Sequence, residues 1–112
     1  MKKSEAMQRA RSIYGVDFRS RNTHFSKINK ALPVEVSLDK IDDSRLKQIY
    51  FLLEDGASIH LLEIPTNYLR ENKSGFYIRH DKNHMCFKID VSSYQELMGS
   101  RREPMKRFRV SP

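Results

Sequence analysis

Two apolar runs close together in the chain constrain its fold more than any other feature. Ile49-Tyr-Phe-Leu-Leu53 leads through Glu54-Asp55-Gly56 into Ser58-Ile-His-Leu-Leu-Glu-Ile64. Each run is bounded by turn residues and is short, so the pair reads as two strands joined by a tight turn. Phe51, Leu52 and Leu53 are adjacent, and Leu62 follows Leu61. A pair with apolar side chains on both faces belongs at the buried centre of a sheet.

Two further runs alternate as half-buried strands do. Met85, Phe87 and Ile89 share one face and His84, Cys86, Lys88 and Asp90 the other, while Phe76 and Ile78 alternate with Tyr77 and Arg79. With Asp81-Lys82-Asn83 between them, 76–80 and 85–89 predict a hairpin. Val34, Val36 and Leu38 alternate with Glu35 and Ser37 as an earlier strand, which Asp39 to Asp43 break. Pro65 opens a helix near 66–72 that Gly75 ends, and Ser93 with Glu96 has the spacing of a capping box for a second helix over 92–98, closed by Gly99. At the start, Ser4 caps a helix with Met7, Ala10 and Tyr14 or Ile13 on one face, and Gly15 stops it. Residues 16–33 have no clear period, apart from one helical turn over 26–31, and Phe18 and Phe25 are the anchors that would pin them.

The expected fold is therefore a small α+β domain. The runs 49–53, 58–64, 76–80 and 85–89 form one mainly antiparallel sheet of about four to five strands with short helices packed on it. Its core includes Phe51, Leu53, Leu61, Leu69, Ile78, Phe87 and Tyr94. The chain of 112 residues suits a single core. It divides into a basic helix and arm over 1–30, an α+β core over 31–99 and an extended basic tail over 100–112. No apolar run approaches the roughly 20 residues of a spanning helix, and the single cysteine, Cys86, can form no internal disulfide. A cytoplasmic protein without membrane association is expected.

Charge is distributed unevenly. Residues 1–30 carry eight Lys or Arg against two acids, a net of +6, and residues 101–112 carry five against one, a net of +4. Residues 31–100 carry eight against eleven, a net of −3. Positive ends around a mildly acidic centre suit a clamp on a polyanion. The candidate phosphate contacts are Lys2, Lys3, Arg9, Arg11, Arg19, Arg21, Arg101, Arg102, Lys106, Arg107 and Arg109. Phe18 and Phe25, interleaved with Arg19, Arg21 and His24, have the residue types that stack on unpaired bases.

Catalytic patterns are weaker. Asp55 with Glu71 and Lys73 has the residue types of a metal-dependent nuclease, but Glu71 and Lys73 fall at a helix end where such a site needs rigid scaffold. His80, Asn83 and His84 crowd a turn without enough further ligands for a metal, and Asp39, Asp42 and Asp43 lack the spacing of a calcium loop. Cys86 and His84 lack the donors and orienting acid of a thiol mechanism. With four glycines and no phosphate loop, the sequence leans away from an enzyme, and no metal or cofactor is expected.

The stretch from Leu62-Glu-Ile-Pro-Thr66 to Phe87-Lys-Ile89 resembles the order of strand, Ile-Pro, short helix and hairpin in small DNA-binding pseudobarrels of the plant B3 and restriction-enzyme recognition type. It covers about a quarter of the chain. The resemblance implies DNA and assigns no base-contacting residue. Two readings follow: a nucleic-acid-binding module or accessory of a DNA-processing system, with DNA ahead of RNA, or an interaction or inhibitor module whose basic ends engage an acidic protein. The oligomeric state stays open, homodimer included.

Overall fold

The computed structural model describes residues 1–27 and 33–112. In chain order these form α1 (Lys3–Tyr14), β1 (Thr23–Lys27), β2 (Val34–Ser37), α2 (Leu38–Asp42), β3 (Gln48–Asp55), β4 (Ser58–Pro65), α3 (Thr66–Glu71), β5 (Tyr77–Arg79), β6 (His84–Phe87) and β7 (Arg109–Val110). Single 3₁₀ turns occupy Ser20–Asn22, Lys73–Gly75 and Lys106–Phe108. The fold is α+β, as expected.

β3 and β4 pair antiparallel with Phe51 opposite Leu62 and Leu52 opposite Leu61. Gly56, at φ +59°, takes the left-handed conformation that their turn requires. Both faces of this pair are buried, and each has its own cover. Tyr50, Leu52, Ile59 and Leu61 pack against Ala6, Met7 and Ala10 of α1 and against Phe18. Ile49, Phe51, Leu53, Leu62 and Ile64 pack against Val34, Val36, Met85 and Phe87, with the Phe51 and Phe87 rings 5.0 Å apart. The molecule thus has three layers: a helix, a sheet ordered β1-β3-β4-β7, and a second sheet ordered β2-β6-β5.

This corrects the expectation of one sheet. The 76–80 and 85–89 runs do form the hairpin β5–β6, but β6 pairs with β2, Val36 lying opposite Met85, and not with the central pair. The reason lies in the two-faced apolar pattern of β3 and β4. A face that cannot meet water needs a covering layer, and strands with one apolar face supply it. Leu38 leaves β2 and starts α2, which Ser37 caps by accepting from the Lys40 N–H. Of the expected core, Ile78 is only partly buried, and the other six residues are buried.

Three other expectations are corrected. Residues 23–27, read as irregular, are strand β1, which runs parallel to β3 with Phe25 opposite Leu52. Its alternation is hidden because two of its buried side chains are Thr23 and Ser26. The helical turn expected over 26–31 falls mostly outside the described residues, and Ser26 and Lys27 belong to β1. In α1, the N-cap is Lys2 with no side-chain cap, so Ser4 is inside the helix, while Gly15 does stop it at φ +69°.

The helix expected over 92–98 does not form. Glu96 is fully buried and its carboxylate accepts backbone N–H bonds from Lys88, Met98 and Gly99. Asp90 accepts from the N–H and hydroxyl of Ser92, and Tyr94 takes φ +60°. Side chains thus offer this backbone partners other than a helical ladder, and the segment coils tightly instead. Gly99 is needed here for closeness: a Cβ at this position would lie 2.1 Å from the Gly75 carbonyl oxygen.

Residues 100–112 are likewise no extended tail. Gln95 bridges to Pro104, Met105 is fully buried, and β7 pairs with β4, Val110 opposite Leu61. An apolar Met105 and an unpaired β4 edge draw the segment in. Glu96→Ala leaves three backbone N–H groups, that of Gly99 buried and those of Lys88 and Met98 partly so, without this acceptor, so it should destabilise the fold by about 3 kcal/mol. Urea unfolding measures this, and an unchanged midpoint would remove Glu96 from that role.

Candidate functional site

The sequence-predicted cations fall into two groups, one on α1 and residues 19–21 and one on residues 101–109, of which Arg109 lies in β7. Lys3, Met7 and Arg11 recur every fourth residue of α1 and so share one face of it. That face meets residues 17–20, which descend from the helix toward β1. Lys3 Nζ donates to the Ser20 carbonyl at 2.9 Å and contacts its hydroxyl at 3.3 Å. Arg11 Nη2 donates to the Phe18 carbonyl at 2.6 Å, and its Nε lies 3.8 Å from Asp17. Two cationic side chains thus strap the segment to the helix. Between the straps lies a cleft of about 690 Å³, lined by Lys3, Ser4, Met7, Arg11, Asp17, Phe18, Arg19 and Ser20. Phe18 is 1% exposed and stacks edge-on against Tyr50, so it anchors the loop and does not offer a ring to solvent.

Around this cleft the positive charge is concentrated. Arg19 and Lys2 are exposed and make no ion pair among the described residues. Arg9 reaches the Ala57 carbonyl at 3.5 Å, beside the β3–β4 turn. Lys40, which the sequence did not single out, acts on Lys3. Burial first, and Lys40 second, hold the Lys3 ammonium below its usual range. Arg21 is spent differently, on Asp43 at 2.8 Å. Asp43 also holds Arg45, and this pairing keeps its carboxyl below the ordinary range.

The second group belongs to the segment that ends in β7. Arg107 stands over the rings of Tyr68 and Phe108 at 4.7 and 4.8 Å, and Arg109 over Tyr94 at 5.5 Å. Arg102 donates to the Leu97 carbonyl at 2.5 Å. Arg101 donates to the Ser74 hydroxyl at 2.7 Å and lies 3.8 Å from Glu103. Lys106 is exposed. The groups approach each other at Tyr14, the last residue of α1. Its hydroxyl donates to the Ile59 carbonyl, and burial raises it while the charge of Arg109 opposes that shift.

Of the eleven predicted cations, Lys2, Lys3, Arg9, Arg19, Arg102, Lys106, Arg107 and Arg109 make no ion pair with any acid among the described residues. Arg11, Arg21 and Arg101 each have one. Lys3, Arg9, Arg102, Arg107 and Arg109 are held by carbonyls or aromatic faces, which fix position without neutralising charge.

The enzyme-like residue sets are not assembled. Asp55 and Glu71 lie beyond opposite ends of the β3–β4 pair, since Asp55 is opposite Ser58 while Pro65, just before α3, is opposite Gln48. Lys73 pairs with Asp42 at 2.6 Å. Among the described residues, no group of three or more His, Cys, Asp or Glu could hold a metal ion. His84 Nδ1 lies 3.3 Å from Glu35 and His80 is exposed. The Cys86 thiol contacts Glu35 at 3.6 Å, and burial together with that carboxylate pushes it up to about 11, against a nucleophilic thiolate.

Sequence reasoning missed one further cluster. His60 Nδ1 shares a 2.6 Å hydrogen bond with the Tyr94 hydroxyl, and its Nε2 is 3.6 Å from Asp55. Asp55 and His60 are neighbours across the β3–β4 turn, but Tyr94 is 34 residues beyond His60, and only the fold of 89–105 brings it in. The cleft, by contrast, had a visible signal in the four-residue spacing of Lys3, Met7 and Arg11.

No helix among the described residues is long and apolar enough to cross a membrane. No family model, no curated protein and no solved structure matches the chain, so its function is argued from this arrangement alone.

His24 records the local charge. Its Nε2 is buried with no hydrogen-bond partner. Burial first, then Lys40 and Lys3, depress its folded value from 6.5 to about 3. The unfolded chain therefore binds an extra proton between these values. Stability from this group is full above about pH 6.5 and is lost as pH falls toward 3. His24→Phe should flatten the pH dependence of unfolding across that window. An unaltered profile in urea titrations at pH 4, 5 and 7 would exclude a buried neutral His24 as its source.

Proposed function

We propose that the protein binds nucleic acid, DNA ahead of RNA, by placing the cations of both its ends against the phosphate backbone. The supporting observation is that eight of the eleven candidate cations carry no acidic partner among the described residues, although they project from an ordered frame. Elsewhere the fold does use acids to neutralise cations: Arg45, Lys73 and Arg79 are all ion-paired. Unpaired like charges held near one another repel, and a polyanion relieves that cost by displacing its own counterions. Lys2, Lys3, Arg9, Arg19, Arg102, Lys106, Arg107 and Arg109 are the main contacts in this reading. Arg11, Arg21 and Arg101, already partnered, contribute less.

Phosphate contacts of this kind position a protein without reading sequence. The function is accordingly that of a backbone-binding module or a small accessory of a DNA-processing system, working in the cytoplasm, where the free thiol of Cys86 is at home.

The test is a salt titration of binding to a duplex. Deleting 101–112 would remove Met105 from the core, so substitutions that keep the side-chain stems are used. The triple variant Lys106→Gln, Arg107→Gln, Arg109→Gln should shallow the log–log salt slope by about two to three units, near 0.9 per lost contact. Lys2→Gln with Arg19→Gln should shallow it by about one to two. Unchanged affinity and slope in both variants would defeat the reading. Recovery of a stoichiometric acidic protein, with no nucleic-acid binding, would establish the interaction or inhibitor module in its place.

A further inference from the structure

We propose that the cleft between α3 and the loop over 43–47 is a seat for a terminal phosphate group, held by Arg70, Lys47, Ser44 and Asn67. None of these four is among the eleven candidate cations, and the seat stands whether or not the backbone-binding reading holds.

Local geometry brings the side chains together. Arg70 follows Asn67 by three residues and Thr66 by four, so the three share one face of α3. The loop is tied to that face. The Thr66 hydroxyl donates to the Leu46 carbonyl, and the Thr66 N–H donates to the Lys47 carbonyl at 3.0 Å. Arg70 donates from Nε to the Ile41 carbonyl at 3.0 Å and from Nη2 to the Asp43 carbonyl at 3.4 Å. Between helix and loop lies a cleft of about 250 Å³, lined by Ser44, Lys47, Thr66, Asn67 and Arg70.

This lining has donors in excess and no carboxylate. Arg70 spends two of its five N–H groups on carbonyls, which leave its charge whole, and three remain. The side chains of Lys47, Ser44 and Asn67 have no hydrogen bond or ion pair among the described residues. The acids that precede them in the chain are committed elsewhere, Asp43 to Arg21 and Arg45 and Asp42 to Lys73. Glu71 is exposed and is not part of the lining. Two cations thus meet at one cleft without counter-charge, inside the stretch 31–100 whose net charge is −3.

Size and charge select the ligand. At about 250 Å³ the cleft falls below the roughly 300–1,000 Å³ of drug-sized sites, so it suits one compact ion rather than a whole nucleotide. A terminal phosphate carries about −1.5 to −2 of charge and three strong acceptor oxygens, which matches two cations flanked by a hydroxyl and an amide. A backbone diester, with about one negative charge, would leave one cation unanswered. The planar fork of Arg70 suits paired phosphate oxygens, and its bonds to the loop already fix it, so little freedom is lost on binding. The group belongs either to free phosphate and its small monoesters or to the phosphorylated end of a strand, which share this chemistry.

The experiment follows backbone amide shifts and heat of binding with inorganic phosphate, and with a short single strand with and without a 5′-phosphate. With inorganic phosphate, the shifts should concentrate at residues 44–47 and 66–70. Lys47→Gln, at an exposed position, should weaken binding about fivefold to tenfold, the loss of one charge-assisted contact. Asn67→Asp keeps the size of an exposed side chain and sets a like charge beside the phosphate, so it should weaken binding at least about tenfold in a folded protein. A phosphorylated strand that moves these residues at lower concentration than inorganic phosphate assigns the seat to strand ends, and equal or weaker binding assigns it to free phosphate, each sustaining the proposal. Shifts spread over other surfaces, an unphosphorylated strand moving the same residues equally, or full affinity in a folded Asn67→Asp variant would overturn it. If phosphate moves nothing at 44–47 and 66–70 while the duplex retains its salt slope, only this seat falls. If phosphate binds there and the duplex does not bind, the backbone-binding reading falls instead.

Discussion

The two-faced apolar character of β3 and β4 is the constraint on which the rest of the molecule depends. Phe51 and Leu62 on one face, with Leu52 and Leu61 on the other, are all 0% exposed. Burying side chains of this size contributes about 1.5–3 kcal/mol each, so neither face can be left to water. One helix and one small sheet answer that requirement. α1 covers the Leu52 and Leu61 face with little more than Ala6, Met7 and Ala10. β2 and β6 cover the other with Val34, Val36, Met85 and Phe87. The positions of the charged ends follow from this. α1 must lie against the sheet, and its remaining faces are then free to carry Lys3, Arg9 and Arg11.

The ends are therefore structural before they are functional. Lys3 and Arg11 hold residues 17–20 to the helix, and Arg107 and Arg109 lie on aromatic rings. A cation bonded to a carbonyl or a ring keeps its full charge, unlike one bonded to a carboxylate. The arrangement thus combines rigidity with an unneutralised field, a combination that flexible basic tails lack.

What the sequence disclosed, and what it hid, follows the range of the forces involved. The β3–β4 and β5–β6 hairpins, α1 and α3 are local and periodic, and all were legible. β1 was hidden because Thr23 and Ser26 occupy buried positions where an apolar residue would have signalled a strand. Residues 92–98 misled because Ser93 and Glu96 have capping-box spacing, yet the Glu96 carboxylate bonds to Lys88, Met98 and Gly99. Nothing in a local pattern shows where a carboxylate will find its donors. The candidate cations were legible as a charge partition. Their division into paired and unpaired groups was not, since Asp43 meets Arg21 and Asp42 meets Lys73 only through the tertiary fold.

β7 has a consequence of another kind. Without it, β4 would present Leu61 and Leu62 along an unpaired strand border, the form most prone to recruit a strand from another molecule. Two residues suffice to interrupt that border, and Arg109 places a charge where a foreign strand would have to align. The segment that supplies cations to the surface is thus also a guard against self-association. Its smallness is part of that role, because a strand of two residues offers an incoming chain too short a ladder to extend.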